Sequence, residues 1–196
     1  MDEHAQAVLD FWFGPADDPG HTQPREAWFK KDDAFDAEIT RRFGPLLDRA
    51  LAGGIDHWLT SPPVPLLALA RVIVLDQFTR NCCRGTARAF AGDPMALQTA
   101  QALVSSGAHR QLSGVQRQFA YLPFEHAEDL ALQRTSVQLF QQLALDEPAL
   151  AGLVDWAQRH LDIVARFGRF PHRNAALGRP STAEEAVFLL TPGSSF

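Results

Sequence analysis

Apolar residues recur along this chain at spacings of three and four, the repeat of an amphipathic helix, and no run alternates apolar with polar residues as a half-buried strand must. The pattern predicts an all-α protein. Val8, Leu9, Phe11, Trp12 and Phe13 form an opening helix that Gly14 and Pro15 stop, because proline disfavours helical geometry in the residue before it. A short segment follows around Trp28 and Phe29. Phe35, Ile39, Phe43, Leu46, Leu47, Ala50 and Leu51 mark a second helix ending at Gly53 and Gly54, with a kink expected at Gly44 and Pro45. Ser61, Pro62 and Pro63 open a more apolar helix through Leu66, Leu69, Ile73 and Leu75, which belongs deep in the core and runs into Asp76 to Arg80.

Asp93 and Pro94 read as the N-cap and first-turn proline of a helix through Leu97, Ala100 and Leu103 that Gly107 ends. Ser113 starts the next. Pro123 sits where a further helix begins, running through Leu130, Val137, Phe140 and Leu143, and Asp146 with Pro148 starts a long one through Leu153, Trp156, Ile163 and Phe167. Ser181 and Glu184 form a capping box for a last helix carrying Val187, Phe188 and Leu189. Trp12, Trp28, Trp58 and Trp156 all fall on the helical pattern as core residues. About eight or nine helices with short connections favour antiparallel pairs, in an array or compact bundle, making a single helical domain over residues 1–196. Phe78-Thr79-Arg80-Asn81 echoes Phe170-Pro171-His172-Arg173-Asn174, but the register differs by one residue and no repeat period emerges.

Composition narrows the class. An apolar share of 46% over 196 residues builds a core without disulfide or metal support. The two cysteines, Cys82 and Cys83, are neighbours and read as reduced structural thiols, since adjacent residues form a disulfide only in strained geometry. No apolar run follows the acidic N-terminus, and the longest apolar stretch, residues 64–74, is broken by Arg71 and too short for a membrane span. The expectation is a cytoplasmic protein with no membrane partner. A net charge of -5 argues against nucleic acid as a partner.

That charge is unevenly spread. Residues 159–179 hold five arginines, Arg159, Arg166, Arg169, Arg173 and Arg179, against one acidic residue, Asp162, with His160 and His172 among them. Arg80, Arg84 and Arg88 recur every fourth residue and would share one helix face if Gly85 did not interrupt it. Converging guanidiniums offer bidentate donors to a carboxylate or phosphate; alternatively Glu125, Glu128 and Asp129 neutralise them in a structural network. Tyr121-Leu122-Pro123-Phe124-Glu125-His126 places a carboxylate beside an imidazole, the materials of proton transfer, although adjacent helical residues diverge. There is no glycine-rich phosphate loop, nucleophile elbow or short-spaced histidine pair, so neither cofactor nor metal is expected.

Several motifs together carry a resemblance: Val8-Leu9-Asp10-Phe11-Trp12-Phe13-Gly14, Leu75-Asp76-Gln77-Phe78 with Arg80-Asn81, Arg84-Gly85-Thr86-Ala87-Arg88-Ala89-Phe90, Tyr121 to His126, Arg166 to Asn174, and Leu177-Gly178-Arg179 with Ser181-Thr182. On these the chain resembles the uncharacterised bacterial family known as domain of unknown function 924. The resemblance implies an α-α superhelix of tetratricopeptide-like type and supplies no activity. It marks Arg166, Arg169, His172, Arg173 and Asn174 as a polar centre. Thr79 stands where that family usually has proline, Cys82 and Cys83 where it has apolar residues, and Ala127 where serine is common, which removes any Glu-His-Ser hydroxyl chemistry.

The leading expectation is a binding protein for a small anionic metabolite or a peptide carboxylate, recognised by Arg80, Asn81, Arg84, Arg88, Arg166, Arg169, His172, Arg173 and Asn174. The first alternative is a hydrolase or transferase using Glu125 and His126 for acid-base chemistry. The second is a protein interaction scaffold whose groove takes a partner helix or peptide.

Overall fold

The computed structural model describes residues 1–195. Among them all regular structure is helical and no strand occurs. Helix α1 (Glu3–Phe13) is capped by Asp2, whose carboxylate accepts from the His4 and Ala5 amides, and it ends at Gly14. Helix α2 (Asp33–Leu51) carries Pro45 without interruption, and α3 (Pro65–Val72) continues into a π-helical stretch, Ile73–Phe78, and then α4 (Thr79–Cys82). There follow α5 (Asp93–Ser105), α6 (Gly114–Glu125), α7 (Leu130–Asp146), α8 (Leu153–Phe167) and the short α9 (Ala183–Phe188).

Helices α6, α7 and α8 pack in sequence order across short connections, which makes each neighbouring pair antiparallel. Helix α3 is sandwiched by α1, α5 and α6, and α2 lies along the π-helical stretch and α4. The stretch is therefore enclosed, with Ile73, Val74, Leu75 and Phe78 fully buried. Aromatic rings fill the space around it: Trp12 meets Phe78 at 5.7 Å and Phe119 at 5.5 Å, and Trp28 donates its indole N–H to the Trp12 carbonyl at 3.1 Å. A smaller apolar cluster of Ile163, Val164 and Phe170 joins the end of α8 to the segment that follows.

The structure departs from the sequence pattern at several points. Pro123 opens no helix: it lies inside the last turn of α6, where only the Phe119 carbonyl forgoes its partner, and α7 starts instead from Asp129, which caps Ala131 and Leu132. Asp93 caps nothing; Gly92 takes the N-cap position and leaves the Asp93 carboxylate for two arginines. The capping box of α9 is Thr182 with Glu185, one residue beyond the expected pair. Trp156 is 49% exposed on the outer face of α8, with the Arg159 guanidinium 4.9 Å from its ring. Cys82 and Cys83 are partly buried free thiols.

Candidate functional site

Asp76 is the most unusual residue of the chain: a carboxylate with no exposure, in the middle of the most apolar segment. A buried charge persists only if paired. His126, just past the end of α6, places Nδ1 at 2.8 Å from Asp76 Oδ1, and Arg80 Nη1 lies 3.1 Å from the same oxygen. The π-helical geometry contributes to this. Wider turns release carbonyls from the normal ladder, and Arg80 Nη1 donates to the Asp76 carbonyl at 2.8 Å while the Thr79 hydroxyl donates to the Leu75 carbonyl at 2.9 Å.

From Arg80 the chain of pairs continues. Its two terminal nitrogens donate to Asp93 at 2.8 and 3.1 Å, and Arg173 Nη1 donates to Asp93 Oδ2 at 3.2 Å. A continuous series, Arg173, Asp93, Arg80, Asp76, His126, thus joins the segment after α8, α5, α4, the π-helical stretch and the end of α6. The Arg173 guanidinium also lies 4.7 Å from the Phe90 ring and 4.6 Å from that of Phe170.

A second carboxylate-imidazole pair lies alongside. Glu125 Oε1 is 3.2 Å from His160 Nδ1, which also donates to the Trp156 carbonyl at 2.9 Å, and the His126 and His160 rings are 6.3 Å apart. Glu125 and His126 diverge as neighbours on a helix do, each taking its own partner. His172 completes the group, its ring 5.7 Å from that of Phe170.

The two carboxyl groups are driven in opposite directions. Burial opposes ionisation of Asp76, but the Arg80 charge and the hydrogen bond from His126 outweigh it and hold the carboxyl well below its ordinary range. Glu125 has no such cation; burial, reinforced by the Asp76 charge, pushes it up to about 8, so it is protonated at neutrality. Burial and Arg80 lower His126, leaving a neutral imidazole; one that donates Nδ1–H to Asp76 keeps the Nε2 lone pair for proton transfer. Burial brings His160 to about 3 and His172 to about 4, and Arg173 to about 10 with help from the Arg80 charge.

The other arginines do not converge here. Helix α4 ends at Cys82, so Arg84 and Arg88 leave the face of Arg80. Asn81 and Arg84 both donate to Asp36, at 2.7 and 2.5 Å, and Arg88 pairs with Asp48. Arg166 meets Glu184 at 2.7 Å, and Arg169 grips Glu185 through bonds of 2.6 and 2.8 Å. Asn174 donates to Ser181 and to Glu185, at 3.1 and 3.3 Å. Of the three acidic residues expected to neutralise arginines, Glu128 does so, holding Arg179 by bonds of 2.6 and 2.9 Å and accepting the Phe170 amide at 2.8 Å. Asp129 caps α7, and Glu125 faces histidine.

Of the expected residues, then, Arg80, Glu125, His126, His172 and Arg173 meet in one place. His160 and Phe170 of the basic segment join them, and Asp76, Asp93 and Phe90 do so without having been singled out. Only Asp76 carried a signal, as a carboxylate following an apolar run and preceding an arginine four residues on. The constellation is mostly closed over: side-chain exposure remains at Arg80 (19%), Asp93 (20%) and His126 (15%). Two surface hollows, beside Val64–Leu67 and beside Leu59–Pro63, involve none of these residues. Among the described residues no three of His, Cys, Asp and Glu are grouped to hold a metal ion, and no helix is long and apolar enough to cross a membrane.

A comparison with functionally curated proteins gives no match. Among solved structures, the chain is similar to a protein of unknown function, ATU0120, from Agrobacterium tumefaciens, with 39% identity, a TM-score of 0.81, and coverage of 95% of this chain and 97% of that one. The family model described as bacterial protein of unknown function (DUF924) matches residues 8–193. With nearly the whole chain inside that match, the protein belongs to the DUF924 family.

Proposed function

We propose that this chain is an enzyme of the hydrolase or transferase class, in which His126 acts as general base and Glu125 as general acid. The observation that carries the reading is the 2.8 Å bond between His126 Nδ1 and the buried Asp76, beside a second carboxyl in the opposite protonation state. Asp76 fixes the tautomer and orientation of the imidazole and would stabilise the imidazolium formed when Nε2 takes a proton. Two carboxyls whose environments separate their pKa values are the usual arrangement for assigning base and acid. Arg80 and Arg173 contribute positive charge next to the pair, suited to a substrate bearing an anionic group. The sequential packing of α6, α7 and α8 supports a scaffold of stacked helix pairs in a single helical domain, as the family resemblance implies.

The test is turnover of a panel of carboxylic esters, phosphate esters, amides and glycosides by the wild-type protein, His126→Ala and Asp76→Asn. The expected result is activity on one bond type that falls roughly a hundred- to ten-thousand-fold in His126→Ala. Undiminished turnover in that variant, or none by the wild type on any bond type, contradicts the reading.

A further inference from the structure

We propose that Arg173 is the recognition point for a small molecule carrying a carboxylate or phosphoryl group, whose oxyanion takes the donor edge that Asp93 leaves open. The inference rests on the site reading above, since a molecule seated there lies on the same chain of charges as His126. Three features of Arg173 lead to it.

First, the guanidinium is under-satisfied. Arginine carries five N–H donors, yet Arg173 is only 6% exposed, and its one hydrogen-bonded carboxylate among the described residues is Asp93, at 3.2 Å. Its buried Nε has no hydrogen-bond partner among the described residues. An unmet donor on a charged group is costly inside a protein, so a fold that keeps one gains from an acceptor that arrives later. The Nε–Nη2 edge of a guanidinium matches two oxygens of a carboxylate or phosphate.

Second, Asp93 is committed elsewhere. It makes the shorter, two-pronged contact with Arg80, at 2.8 and 3.1 Å, and reaches Arg173 only with the oxygen it already shares. Asp93 holds Nη1, so an oxyanion on the Nε–Nη2 edge leaves both the Arg80–Asp93 and the Arg173–Asp93 contacts in place. Third, the surroundings hold the guanidinium still. Phe90 and Phe170 lie within 4.7 Å of it and do not compete as acceptors. Arg169 and Arg179, in the same basic segment, have full carboxylate partners and lack this deficit.

Access runs along the residues that keep exposure, Arg80, Asp93 and His126. The Asp93 carboxylate beside that edge offsets the Arg173 charge and repels an incoming anion, so replacing it by a neutral amide should tighten binding.

The experiment is a titration with malonate and, separately, with inorganic phosphate, read as the shift of the Arg173 Nε–H resonance and as an equilibrium constant, against chloride at matched ionic strength. Asp93→Asn is expected to bind one probe at least about tenfold more tightly than wild type, and Arg173→Gln to bind neither. Preference for malonate or for phosphate identifies the ligand's group as carboxylate or phosphoryl. If Asp93→Asn does not fold, Arg173→Lys in the wild-type background serves instead, because lysine keeps the charge but lacks the two-donor edge, and binding should be lost. An Arg173 resonance that no probe moves in wild type or Asp93→Asn overturns the proposal, as does binding that survives Arg173→Gln or Arg173→Lys. Because equilibrium binding needs no turnover, failure here is distinguishable from failure of the catalytic reading.

Discussion

At the scale of single residues, two carboxyl groups close together behave oppositely because of what faces them. Asp76 has a guanidinium and an imidazole; Glu125 has an imidazole alone and the Asp76 charge behind it. Glu128 shows a third environment, where a carboxylate organises backbone: it holds Arg179 and the Phe170 amide together, fixing the segment that presents His172 and Arg173. Replacing it leaves a partly buried arginine and an amide without their acceptor. Glu128→Ala should therefore cost about 2–3 kcal/mol in urea unfolding. A loss below about 0.5 kcal/mol, the range of ordinary surface substitutions, would mean that Glu128 does not organise this segment. Sequence alone exposed Glu125 and His126 as chemistry because they are adjacent, but gave Asp76 and Asp93 no such mark. Their partners lie 50 residues away for Asp76–His126 and 80 for Asp93–Arg173, and pairing over that distance leaves no local pattern.

Among the elements, the π-helical stretch is the piece on which the site depends. It sets the Asp76 carboxylate toward His126 and frees carbonyls for Arg80 and Thr79. Its approach to α5 is so close that a Cβ on Gly92 would overlap the Leu75 carbonyl oxygen. Gly92→Ala must push α5, and Asp93 with it, away from the stretch; we expect a loss of about 1–3 kcal/mol from overpacking against backbone. Wild-type stability in that variant would show that the approach is looser than described. Helix α8 ends where Gly168 takes φ +70, the left-handed conformation that turns the chain toward Phe170. The helical class and most helix cores were legible from periodicity. The π-helical stretch was not, because its residues are apolar whichever hydrogen-bond ladder they adopt. Trp156 was misplaced for a related reason: α8 is strongly amphipathic, but one tryptophan beside Arg159 on its polar face reads as core until the face is known.

For the whole molecule, the buried titratable groups make stability depend on pH in two directions. Glu125 is protonated in the folded protein up to about 8 but in the unfolded chain only to its ordinary 4.5, so its contribution is lost as pH rises between the two. His160 and His172, at about 3 and about 4 against an ordinary 6.5, act in reverse: the unfolded chain takes up their protons first, and stability is lost as pH falls below 6.5. The opposed trends meet near pH 6.5, which is where stability should peak. Each unbalanced proton gives a slope of about 1.4 kcal/mol per pH unit in urea unfolding, and Glu125→Gln should abolish the alkaline decline while keeping the acid one. A wild type that loses nothing between neutrality and pH 8 would mean Glu125 is already ionised. In the proposed mechanism Asp76 orients a neutral His126 whose Nε2 accepts a proton, and heteronuclear NMR of the histidine ring nitrogens across neutral and acidic pH reads that protonation state. His126 should carry its proton on Nδ1, titrate below the ordinary 6.5, and change tautomer in Asp76→Asn. A proton on Nε2, or an imidazolium at neutral pH, would contradict it.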